Sequence, residues 1–117
     1  MNKPLFALAL GLAFVAASVT GVNAATPAPA INDAQIAHIA YTAGAIDVTA
    51  AKQALQKSHN PQVRAFAEEM ARDHAAVNEQ ALALVKKLGV TPQDNPTSQS
   101  LASAAAAEQT KLAALSG

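Results

Sequence analysis

Two long runs with apolar residues at helical spacing meet at a break of only four residues: Ser58, His59, Asn60 and Pro61. Proline suits the first position of a helix, and asparagine before it is a good N-cap. So short a connection makes the two helices run antiparallel as a hairpin. This one break constrains the fold more than any other feature of the chain.

The first helix is predicted to open at Asn32 or Asp33, where Asn32 and Gln35 have the spacing of a capping box. Its apolar positions are Ile36, Ile39, Ala40, Ala43, Ile46, Ala50, Ala54 and Leu55. In the second helix Val63, Phe66, Ala67, Met70, His74, Val77, Ala81, Leu84, Val85 and Leu88 form one stripe, with Phe66 and Met70 read as core. Arg64, Glu68 and Arg72 fall opposite at i,i+4 spacing. Lys86 and Lys87 suit the negative end of the helix dipole, and Gly89 is a natural stop. Residues 90–96 read as a loop. A third helix is predicted from Thr97 or Ser98, with a thin stripe of Leu101, Ala105, Leu112 and Leu115. Nothing alternates with the period of a strand. The expected fold class is all-α: an antiparallel helical hairpin plus a third helix, an incomplete helical bundle.

Alanine dominates the apolar half of the 117 residues, and it favours helix while burying little surface. The third helix has too few large residues to cover the hairpin, so the mature chain is expected to need a partner, a fourth helix or a metal. It is read as a homo-oligomer, or as lacking a C-terminal half. Net charge is zero, with eight basic and eight acidic residues, which argues against a nucleic-acid partner. The absence of cysteine excludes a disulfide scaffold, a cysteine zinc site, an iron–sulfur cluster and a c-type haem.

Residues 1–24 read as a secretory signal peptide. Lys3 supplies the positive start, residues 5–17 the apolar core, and Val22 and Ala24 the small residues before the cut. Residues 25–31, with Pro27 and Pro29, form a linker, and residues 32–117 the helical domain. The expected location is exported: periplasmic or secreted, or associated with the outer membrane, with no transmembrane helix once the signal is cut.

The stretch from Asn60 and Pro61 through Phe66, Met70, Asp73 and His74, followed by Asn78 and Leu82, resembles the bacterial domain of unknown function 4142 family (DUF4142). The resemblance implies an exported protein of the kind called a putative outer membrane protein, with a ferritin-like helical fold and no assigned activity. Asp47 stands where the family carries a glutamate on its first helix. The chain ends after Ser116 and Gly117, where the family's second half begins.

One constellation carries chemistry. Asp47 lies three turns after Ile36 and so points with the apolar face of the first helix, while His74 sits inside the stripe of the second. Folding the hairpin about its turn brings the two to about one level, with Asp73 beside them. Inward carboxylate and imidazole groups are how bundle metal sites are built, so Asp47, His74 and Asp73 are the candidate ligands for iron, manganese or zinc. The ferritin pattern Glu-x-x-His is absent, because Ala71 precedes His74 by three. The alternatives are a buried Asp47–His74 pair with no metal, and proton chemistry at that pair. Glu108 is a further carboxylate candidate, with a surface ion pair to Lys111 as its default. His38 reads as solvated on a mixed face, and His59 as exposed in the turn. Two functions follow: a non-catalytic module that packs its open face on a partner or on itself, or a metal-binding ferritin-like protein with a redox or stress-related role. No catalytic residue is assigned.

Overall fold

The computed structural model describes residues 29–116. They form three helices, α1 (Asp33–Lys57), α2 (Pro61–Lys87) and α3 (Pro96–Ala113), and among the described residues there is no strand. The all-α expectation holds. The expected signal peptide, residues 1–24, and most of the expected linker lie outside the described residues.

Local chemistry sets each boundary. Asn32 caps α1 by accepting from the Gln35 amide at 2.9 Å, and Gln35 returns the bond to the Asn32 amide at 3.1 Å. Asn60 caps α2 through the Gln62 and Val63 amides, with Pro61 at the first turn. The end of α2 is a Schellman motif: the Val90 amide bonds the Val85 carbonyl at 2.8 Å and the Gly89 amide the Lys86 carbonyl at 3.1 Å. Gly89 takes φ +72°, which costs a glycine nothing. α3 begins one to two residues before the expected start. Asn95 is in extended conformation and accepts from the Thr97 and Ser98 amides, so Pro96 opens the helix instead of ending the loop.

α1 and α2 form the antiparallel hairpin, and α3 packs on a different flank of α1 without touching α2. The seam between α1 and α2 is made of small residues. Gly44, Ala51 and Ala67 are buried there. The large side chains of α2 are not: Phe66 is 64% exposed, Val77 60% and Leu84 57%. Reading Phe66 as core was therefore wrong, while Met70 is half-buried. Successive residues turn by about 100°, so a seam on Ala67 leaves Phe66 roughly a quarter turn away, facing no helix. The second expectation to fail is the Arg64, Glu68, Arg72 ladder. Arg64 instead donates from Nη1 to the Leu55 carbonyl at 2.6 Å and the Ser58 carbonyl at 3.1 Å, satisfying the unpaired end of α1. Arg72 bonds its neighbour Asp73.

α3 is held largely by polar contacts at its two ends. The Gln93 amide bonds the Ala34 carbonyl, and Asn95 Nδ2 the Gln35 carbonyl. Further along, Gln53 bonds the Gln109 carbonyl, and the Lys57 ammonium binds the Ala113 and Leu115 carbonyls at the negative end of the α3 dipole. α3 thus runs parallel to α1.

Candidate functional site

His74 and Asp47 meet across the hairpin seam, Nε2 to Oδ2 at 3.3 Å. Their side chains are 34% and 46% exposed, so the pair is open to solvent and is not enclosed as the sequence suggested. The helices place both groups. His74 sits one turn from Met70, and its Nδ1 lies 3.1 Å from the Met70 carbonyl. A carbonyl has only lone pairs to offer, so Nδ1 carries the proton and donates. Nε2 is then left either with a lone pair or, in the doubly protonated ring, with an N–H. A lone pair against the Asp47 carboxylate repels. A proton or a cation between the two resolves that. This is the arrangement in which a carbonyl orients a metal-ligating histidine. The 3.3 Å gap is also about the edge of a ligand tetrahedron with bonds of roughly 2.0–2.1 Å.

Asp73 does not join the pair. It is about half exposed and accepts from Arg72 Nε at 2.9 Å. Glu108 pairs with Lys111 at 2.7 Å on the surface, and His59 is exposed in the turn. Among the described residues no three His, Asp or Glu side chains come together. Of the three candidate ligands, Asp73 stands apart while Asp47 and His74 meet. An open apolar groove adjoins them between α1 and α2, lined by Asp47, Ala50, Ala54, Val63, Phe66 and Met70.

The sequence missed a second cluster. His38, expected to be solvated, is part-buried, with Nδ1 2.8 Å from Ser98 Oγ and 3.9 Å from Asp94 Oδ1. Ser98 Oγ donates to Asp94 at 3.1 Å and accepts from the Asn95 amide at 3.2 Å. These three residue types suggest a hydrolytic triad, but the geometry is that of a pin. In a triad the carboxylate and the hydroxyl engage opposite ring nitrogens. Here both lie on the Nδ1 side, and Ser98 is 1% exposed, out of reach of a substrate. Bonds from Gln99 and then Ser98 hold the Asp94 carboxyl below the ordinary carboxylate range, against a smaller desolvation effect. The cluster fastens the start of α3 to α1. Only the Asn95–Ser98 capping spacing was available in the sequence to mark it, and nothing there pointed to His38 sixty residues away.

Among known proteins, the family model described as Domain of unknown function (DUF4142) matches residues 18–117. That bears out the resemblance carried by Phe66, Met70, Asp73 and His74. No curated protein and no solved structure matches.

Proposed function

The chain belongs to the DUF4142 family, and from that premise we propose that it is an exported, non-catalytic packing module of ferritin-like type. It works by seating the open face of its hairpin on a partner surface. The observation that supports this reading is the inversion at the seam: alanine and glycine are buried between the helices while Phe66, Val77 and Leu84 point outward. An apolar stripe running most of the length of a helix is larger than the scattered apolar residues of an ordinary surface and marks an interaction site. Export rests on residues 1–24, whose pattern of charge, apolar core and small residues is that of a cleaved signal. Among the described residues no helix is long and apolar enough to cross a membrane.

The test is photo-crosslinking in living cells, with the probe at position 66 or 77 and a control at the exposed Lys52 of α1. The reading expects adducts from 66 and 77 and none from 52, in a protein whose N-terminus is Ala25. No adduct from either α2 position would overturn it.

A second reading is favoured by one specific contact. The Met70 carbonyl fixes the His74 proton on Nδ1 and turns Nε2 towards Asp47. That supports a divalent-metal role for these two residues, with iron, manganese or zinc as the candidate ions and a redox or stress-related activity as the consequence.

A further inference from the structure

The Asp47–His74 pair stands at mid-height of the hairpin. His74 is the central residue of α2, Pro61–Lys87, and Asp47 lies two residues past Ala45, the centre of α1, Asp33–Lys57. Suppose two hairpins pair face to face about a twofold axis and bury the full length of both helices. Their mid-heights then fall level, and the two Asp47–His74 pairs meet. Isologous pairing of this kind is the commonest way soluble chains associate.

The face is large enough. At 1.5 Å per residue α2 is about 40 Å long, and two helices side by side are about 20 Å across, so the hairpin offers on the order of 800 Å², the share each partner gives a stable interface. Its chemistry also selects the occupant. Asp47 is the one charged residue lining the apolar groove. A purely apolar partner helix would bury that carboxylate with only the half-exposed His74 to answer it, a costly burial. A second copy brings its own imidazole and carboxylate instead. Two nitrogens and two oxygens make a four-ligand set for a divalent cation, and each Nε2–Oδ2 pair already has the spacing of two such ligands.

We infer that a second copy of this chain covers the hairpin face, and that Asp47 and His74 of the two copies together hold one divalent cation. The inference deepens the packing reading and rests on it.

Sedimentation equilibrium of the exported chain from Ala25 onward, with zinc as probe and with chelator, tests it alongside calorimetric stoichiometry. The wild type should dimerise at micromolar concentration and bind one zinc per two chains. With zinc at ten times its own dissociation constant the dimer should tighten about tenfold by mass action. His74→Ala and Asp47→Asn should lose the zinc response. Phe66→Ser removes a side chain the monomer leaves 64% exposed, so helix content should stay unchanged while the chain becomes monomeric with or without zinc. A wild-type dimer indifferent to zinc and chelator overturns the shared site and leaves the packing reading standing. Zinc bound one per chain, and retained by monomeric Phe66→Ser, overturns it as well. A wild type that stays monomeric with and without zinc overturns the inference entirely, while adducts to a different protein from position 66 in cells would still uphold the packing reading.

Discussion

Asn78 of α2 crosses directly over Gly44 of α1, its Nδ2 reaching the Tyr41 carbonyl at 3.4 Å. A Cβ at position 44 would fall on the Asn78 amide. The Asn78 side chain therefore occupies the space that glycine leaves open at this point. Two effects oppose each other in Gly44→Ala. The helix gains about 1 kcal/mol from losing a glycine, while the clash displaces Asn78 from its carbonyl. Gly44→Ala alone should therefore gain less stability than the full helix contribution, because Asn78 must swing away from a weak 3.4 Å bond. In an Asn78→Ala background, where the space is free, the same change should raise it by up to about 1 kcal/mol. Denaturant unfolding of the four proteins checks this, and an equal gain in both backgrounds would show that Asn78 does not hold its place over Gly44.

The Asp47–His74 pair should matter little to stability without metal. With both side chains more than a third exposed, solvent screens the interaction. His74→Ala in chelator should cost at most about 1 kcal/mol, well short of a broken buried pair. Thermal melts with zinc should rise for the wild type and not for His74→Ala. Asp47→Glu extends the carboxylate by one methylene and restores the residue of the resembled family, so its metal response should differ measurably from wild type.

Acid should loosen the start of α3 before the hairpin. The Asp94 carboxyl sits below its ordinary value of 3.8 in the folded chain because Gln99 and Ser98 donate to it. A depressed folded pKa contributes stability that is present above the unfolded value and disappears as pH falls through the folded one. Protection of the Asn95 and Ser98 amides from hydrogen exchange should therefore drop below pH 3.8, and Asp94→Asn should remove that pH dependence. Equal acid sensitivity in Asp94→Asn would assign it to another group.

Gly89 is the one described residue whose backbone is left-handed, at φ +72°. Nothing lies within 4 Å of where its Cβ would be, so backbone strain alone decides the outcome. Gly89→Ala should cost about 1 kcal/mol in denaturant unfolding.

Caps and breakers made the elements legible in the sequence, because their chemistry is local. Asn32 with Gln35, Asn60 with Pro61, and Gly89 all act within a few residues, and all behave as read. The level at which Asp47 meets His74 was legible too, since a short turn fixes the register of a hairpin. Which face of α2 meets α1 was not. An apolar stripe tells where large side chains gather, not whether this chain or another covers them. Close helix approach put Ala67 at the seam and left Phe66 outside. His38 escaped for a related reason: its partners come from a loop whose path across the start of α1 no periodicity encodes.

An interface between copies would cover the outward stripe of α2, and association would then show in thermal stability. The most direct measurement is the melting temperature as a function of protein concentration, for the wild type and for Phe66→Ser. Association stabilises the native state by mass action, so the wild-type midpoint should climb as concentration rises, while that of Phe66→Ser should stay constant and lie lower. Two midpoints that coincide and ignore concentration would mean that no second copy covers the stripe.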